Sequence, residues 1–146
     1  MNPDQRCKRF TVETFRVHRN HHWSFFEVYN ELGFGFLESV YRKSLQLALR
    51  QKGLKVDAEV AVPVFFRGIN VGDFRSDLVV NDCVLLELKT AETIIMAHEA
   101  QLLNYLRATA LEIGLILNFG PKALVRRLLF DNDRKQAKVQ RVGGAL

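Results

Sequence analysis

The spacing of apolar residues changes three times along this chain, and each change marks a different kind of element. Trp23, Phe26, Val28 and Tyr29 suit a helix from His22 to Leu32 that stops at Gly33. Leu37, Val40, Tyr41, Leu45, Ala48 and Leu49 make the apolar face of a second helix from about Phe36 to Lys52, with Gly53 as its C-cap. Gly33 and Gly35 permit a tight turn between the two. From Val60 the period shortens to two. Val60, Val62, Val64 and Phe66 read as a strand, Arg67-Gly68-Ile69-Asn70 as a turn, Val71 to Val80 as a second strand and Val84 to Lys89 as a third, with Asn81 and Asp82 in the hairpin between the last two. The stretches LVV and VLLEL are apolar on both faces, which predicts central strands covered on each side. Helical spacing returns from Glu92 to Arg107, followed by a buried strand from Leu111 to Gly120 and a last strand from Leu124 to Phe130.

The predicted order is therefore α-α-β-β-β-α-β-β, an α/β chain whose mixed β-sheet is flanked by helices. Residues 1–22 are polar and without a clear period, and predict a flexible lead-in or a short helix. The domain proper is expected over 23–130, with a basic tail over 131–146.

Composition narrows the class without naming a function. A chain of 146 residues, 48% hydrophobic and 25% charged, is one domain with a real core. No apolar run is long enough to span a membrane and the N-terminus lacks the apolar stretch of a signal peptide, so the expected location is cytoplasmic. Cys7 and Cys83 fit neither a zinc spacing nor a disulfide framework, and reduced structural thiols are expected. The net charge of +5 is concentrated at the end: residues 121–146 hold seven Lys/Arg against two Asp/Glu. Such a tail suits a polyanion, and equally suits a solvated, frayed terminus.

The chemistry concentrates in Phe74–Lys89, FRSDLVVNDCVLLELK, where Asp77, Glu87 and Lys89 interrupt runs of Leu and Val. Buried charges require partners or a metal. Residues two apart on a strand share a face, so Glu87 and Lys89 project together. A two-residue hairpin loop would put Asp77 opposite Leu86 and on the other face; a three-residue loop, Asn81 to Cys83, would put it opposite Glu87. The longer loop, or a bulge nearby, is expected. Asp77, Glu87 and the backbone carbonyl of Leu88 would then form a hard oxygen site suited to Mg²⁺ or Mn²⁺, with Lys89 holding the attacking water and offsetting charge on the phosphate. The same Glu-x-Lys also suits the solvent face of a half-exposed strand.

Three more polar residues, His98, Gln101 and Tyr105, form one stripe of the later helix and could orient phosphate or water. Taken alone, such a stripe is an ordinary helix boundary, and His98 an ordinary local hydrogen bonder. Glu38 opens the second helix, one turn before Tyr41, where a carboxylate is favoured by the helix dipole in any case. His18, His21 and His22 have no convergent acid or cysteine pattern and read as surface residues.

Gly35-Phe36-Leu37-Glu38-Ser39-Val40-Tyr41 resembles the G-x-x-E-x-x-Y signature of the small bacterial GxxExxY proteins, which are placed in the PD-(D/E)XK nuclease superfamily. The resemblance runs from about Phe26 to Leu129 and includes FRSDLVV, LLELK, HEAQLLNYL and LILNFG in the family's order. It implies a restriction-endonuclease-like core, metal at Asp77 and Glu87, Lys89 as the catalytic lysine and Glu38 as an auxiliary acid on the first core helix. Gln101-x-x-x-Tyr105 is similar to the Q-x-x-x-Y element of recombination and repair nucleases. Ser76 stands where the superfamily has proline, and Gly33-Phe34-Gly35-Phe36 where the family has GPGF.

The leading expectation is a Mg²⁺-dependent nuclease, with Mn²⁺ as substitute, acting on nucleic acid and on DNA more than RNA. A homodimer, as in many superfamily members, would suit two-strand cleavage, and a partner protein could lend specificity that so short a chain has little room for. The alternative is a non-catalytic module on the same fold that binds nucleic acid or protein.

Overall fold

The computed structural model describes residues 3–15 and 23–135. Helices α1 (Pro3–Thr14), α2 (Ser24–Leu32) and α3 (Glu38–Gln51) come first, then strands β1 (Val56–Ala58), β2 (Ala61–Phe66), β3 (Ile69–Arg75), β4 (Leu78–Val80) and β5 (Val84–Lys89). Helix α4 (Met96–Ala108), strands β6 (Ile113–Phe119) and β7 (Ala123–Leu129) and a 3-10 turn at Asn132–Arg134 follow. The helices form where the period predicts them: α3 buries Tyr41, Leu45 and Leu49 at four-residue spacing, and α2 stops at Gly33, whose φ of 69° suits the glycine.

Five strands make a mixed sheet in the order β1-β4-β5-β6-β7. β4 and β5 are an antiparallel hairpin, β5 and β6 are parallel, and β7 returns antiparallel to β6. A parallel pair cannot be joined by a tight turn, and α4 supplies the crossover. Both faces of the sheet are covered. On one, Leu78, Leu86, Leu88, Leu115 and Leu117 pack under Phe25, Tyr41, Leu45 and Leu49 of α2 and α3. On the other, Val79, Leu85 and Ile116 pack under Leu102, Tyr105 and Leu106 of α4, with Val62 of β2. This helix–sheet–helix layering is the expected α/β architecture and is consistent with a restriction-endonuclease-like fold.

Several expectations are corrected. The strand foreseen over Val71–Val80 is two strands in different sheets: β3 pairs only with β2 in a separate two-stranded sheet, and β4 enters the main one. The break falls at Ser76–Asp77, where Ser76 N–H donates to the Val60 carbonyl and Glu59 N–H to the Asp77 carbonyl. Arg75-Ser76-Asp77, three polar residues in a row, mark the break in the sequence. β1 is too short, with too few apolar residues, to have been foreseen; it pairs with β4 at the sheet edge. The helix foreseen from Glu92 begins at Met96, because residues before it are held in a loop described below. Of the two expectations for the first stretch, the short helix is the one found: α1, whose Cys7 and Phe10 pack against the core.

The expectation of reduced thiols is overturned. Cys7 and Cys83 form a disulfide across a sequence separation of 76 residues, joining α1 to the loop between β4 and β5. Packing of α1 against the sheet brings together two cysteines that no local spacing could pair. Closing so large a loop restricts the unfolded chain, so Cys7→Ser is expected to lower stability by about 2–4 kcal/mol. Thermal melts of wild type with and without reductant should reproduce that loss, and a variant insensitive to reductant would show the same melt in both.

Of the predicted basic tail, only 131–135 lie among the described residues, as do none of His18, His21 and His22. Lys135 is buried, and its ammonium donates to the carbonyls of Thr109 (3.1 Å) and Leu111. Among the described residues, no helix is long and apolar enough to cross a membrane.

Candidate active site

The β4–β5 loop decides whether the two acids meet. It is the three-residue form, Asn81 to Cys83, with Val80 paired to Val84 and Leu78 to Leu86. Asn81 and Asp82 take left-handed φ values of 52° and 54°, a conformation that Asn and Asp tolerate better than most side chains. Asn81 fixes the loop by exchanging two hydrogen bonds with the backbone of Lys55, at 2.8 and 2.9 Å. One step beyond Leu78–Leu86 in this register, Asp77 lies opposite Glu87, on the α4 face of the sheet that Val79 and Leu85 share.

Asp77 Oδ2 accepts the Leu88 N–H at 2.8 Å, and its Oδ1 lies 3.7 Å from the Arg42 guanidinium. Glu87 is only 4% exposed, and its Oε1 has no hydrogen-bond partner. Burial, and then the Asp77 carboxylate beside it, push the Glu87 carboxyl up to about 8, against the opposing pull of Lys89. A buried carboxyl with an orphaned oxygen is costly in a finished core. Lys89 shares the face of Glu87, and its ammonium donates to Gln101 Oε1 at 2.9 Å. Glu38, the first residue of α3, feels the same cluster: burial raises its carboxyl, Lys89 opposes that, and Asp77 adds to it.

Asp77, Glu87, Lys89, Gln101 and Glu38 are thus brought to one place. Tyr105 and His98 stand one step back. Tyr105 is buried and its hydroxyl donates to the Arg75 carbonyl at 2.7 Å, tying α4 to the end of β3; burial raises its phenol, and the nearby Glu87 and Asp77 add to that. His98 Nδ1 accepts the Ile95 N–H at 3.3 Å, a local bond at the start of α4, and burial followed by Lys89 lowers its imidazole. Tyr41 is a packing residue: it stacks on Phe119 at 4.4 Å and its hydroxyl donates to the Gly33 carbonyl at 2.6 Å.

Three residues that matter to the site escaped the sequence reading. Arg42 follows Glu38 by one helical turn, so its position was legible, but its ion pair with Asp77 was not. Asn118 sits across from Lys89 in the parallel register, fully buried. Its side chain exchanges two hydrogen bonds with the Ala91 backbone, at 2.8 and 2.9 Å, and so holds the chain that leaves Lys89 for α4. Gly120 completes that support, since a Cβ there would lie 1.9 Å from the Ala91 carbonyl oxygen. The polar break within LILNFG was the available signal. Gly120→Ala is expected to cost about 1–3 kcal/mol, in the range of overpacked sites, and to lower activity by shifting Lys89. Asn118→Ala should reproduce the activity loss without the steric clash; unchanged melting of Gly120→Ala would contradict the close approach.

Two carboxylates and the Leu88 carbonyl are a hard oxygen donor set of the kind Mg²⁺ and Mn²⁺ take. Among the described residues, no group of three or more His, Cys, Asp and Glu side chains is arranged to hold a metal, so a site here must rest on the acid pair, backbone oxygen and water. The unpartnered Glu87 Oε1 fits that requirement.

Residues 16–128 match the sequence profile of the PD-(D/E)XK nuclease superfamily. The chain belongs to that superfamily. Among solved structures, the crystal structure of SSO0001 superposes with a TM-score of 0.53 at 19% identity, over 95% of this chain and 67% of that one; it is a likeness of fold. No curated protein matches the chain significantly. Within the superfamily match lie Glu38, Asp77, Glu87, Lys89, Gln101 and Tyr105.

Proposed function

We propose that the protein is a divalent-metal-dependent nuclease, with Asp77, Glu87 and the Leu88 carbonyl as metal ligands and Lys89 as the catalytic lysine. The observation that carries this reading is the buried Glu87 carboxyl, one oxygen unpartnered, set against Asp77 and sharing a strand face with Lys89. Bound Mg²⁺ or Mn²⁺ would polarise the phosphodiester and acidify an attacking water. Lys89 offers its ammonium to that water or to a phosphate oxygen as negative charge develops. Gln101 holds the ammonium in position without competing as an anion. Glu38 is the auxiliary acid; burial raises its carboxyl, which suits it to hold a proton, and a metal would take it in the ionised form. The Gly35–Tyr41 signature supports placement among the GxxExxY proteins. Superfamily membership favours nucleic acid as substrate, DNA ahead of RNA, with a homodimer or partner protein supplying whatever specificity the small chain lacks.

The rival reading, a non-catalytic binding module, leaves the orphaned Glu87 oxygen without a role. A panel of labelled single-stranded, duplex and branched DNA and RNA, incubated with Mg²⁺ or Mn²⁺ and with EDTA, tests the two. Metal-dependent cutting by wild type that is absent in parallel preparations of Lys89→Ala is the expected result. Binding without cutting, in all metals, would favour the module.

A further inference from the structure

The loop that leads into Glu38 carries large apolar side chains out into water, and this is unexplained by the metal site. Gly33-Phe34-Gly35-Phe36-Leu37 exposes Phe34 by 60%, Phe36 by 48% and Leu37 by 77%. The loop is built rather than loose. Gly33 and Gly35 hold φ values of 69° and 110°, which favour glycine. The Tyr41 hydroxyl spans it, donating to the Gly33 carbonyl at 2.6 Å and accepting the Phe36 N–H at 3.3 Å. Phe36 rests edge-on against the Tyr41 ring at 6.1 Å, and Tyr41 in turn stacks on Phe119 at the end of β6. One side of Phe36 is therefore seated on the core while the rest faces solvent.

We infer that Phe34 and Phe36 are a base-stacking platform for unpaired nucleotides next to the scissile phosphate, so that the substrate is single-stranded or has a frayed or branched end. This rests on the nuclease reading and narrows its substrate class. The loop itself carries no charged side chain. The charges are one residue further on, where Glu38 interacts electrostatically with Asp77 and Lys89. Rings beside the Lys89 ammonium and the proposed metal site match the two halves of a nucleotide, a π-face and an anion. In a duplex the base faces are covered by neighbouring pairs, so rings held on a raised loop can stack only on bases that are unpaired.

The test is binding rather than cleavage, in EDTA, with a short labelled oligothymidylate and a blunt duplex of matched length. Phe34→Leu and Phe36→Leu keep apolar bulk and lose the ring. Each is expected to weaken oligothymidylate binding by about 5- to 100-fold, while duplex binding and melting temperature hold. In Phe34→Trp, oligothymidylate should quench the new indole, a readout that does not depend on how well the Leu variants fold. Wild type that binds the oligonucleotide with the same affinity as both Leu variants, and no quenching in the Trp variant, would overturn the platform and leave the nuclease reading intact. Absence of oligothymidylate binding by wild type in EDTA would overturn the platform, while the cleavage panel with Mg²⁺ or Mn²⁺ decides the nuclease reading separately. Concentration-dependent self-association lost in Phe34→Leu, without an effect on oligonucleotide binding, would assign the patch to a second copy of the chain and overturn the inference.

Discussion

Replacing Glu87 by glutamine is expected to abolish metal-dependent cleavage and, at the same time, to stabilise the metal-free protein at neutral to alkaline pH. The two effects share one cause. Glu87 is buried beside Asp77 with an oxygen left unpartnered, so folding alone disfavours its charge, and the proposed metal is what would use it. Loss of a direct ligand should exceed the 10- to 100-fold penalty typical of groups that merely support ligands, and cleavage is expected to fall by more than about a thousandfold. Glutamine keeps the shape and removes the charge, and its amide can donate to the Asp77 carboxylate.

The pH dependence has a definite sign. In the unfolded chain the Glu87 carboxyl ionises at its ordinary value of 4.5, whereas in the folded protein it holds its proton to about 8. Between those values the folded state binds more protons, so stability without metal declines as pH rises through the window, by on the order of a few kcal/mol. Thermal melts in EDTA from about pH 4 to about pH 8.5, which spans the ordinary 4.5 and the folded value of about 8, should show this slope in wild type and a weaker one in Glu87→Gln. Mn²⁺ should stabilise wild type more at the alkaline end, because a metal takes the ionised carboxylate and displaces the proton. Equal slopes in both proteins, or an Mn²⁺ shift preserved in the variant, would remove Glu87 from the proposed ligand set.

That this pair could be suspected from sequence at all follows from strand geometry. Glu87 and Lys89 are two apart in a run of Val and Leu, so a shared face is fixed by the pleat as soon as the strand is recognised. Asp77 could be added only by counting loop residues, and the three-residue Asn81–Cys83 loop satisfies the count. Helices α2 and α3 were legible because Gly33 and Gly53 punctuate a clean helical period. What failed was information carried by distant contacts. Val71–Val80 reads as one strand across the polar run Arg75-Ser76-Asp77, where the backbone turns to bond with Glu59 and Val60. The Cys7–Cys83 bridge depends on how α1 packs, which no local spacing encodes. Asn118 reads as an interruption in an apolar strand, and only the parallel register with β5 shows that it supports the segment after Lys89.

Lys89→Ala is the sharper probe of chemistry, because it should separate catalysis from metal binding. Cleavage is expected to fall by on the order of 10²- to 10³-fold, the usual cost of deleting one group that stabilises developing charge, while Mn²⁺ binding by the acid pair persists. Arginine should not restore activity: a planar guanidinium cannot place a compact charge where the Lys89 ammonium sits against Gln101. Gln101→Ala should cost less, roughly tenfold or somewhat more, since it acts through the lysine it holds. The double variant then decides the relation between them. If Gln101 serves to position Lys89, removing both should be no worse than removing Lys89 alone, the non-additivity expected of residues that act as a unit. Fully additive losses would mean that Gln101 contacts substrate or water independently of Lys89, and the two would have to be assigned separate roles on the α4 side of the site.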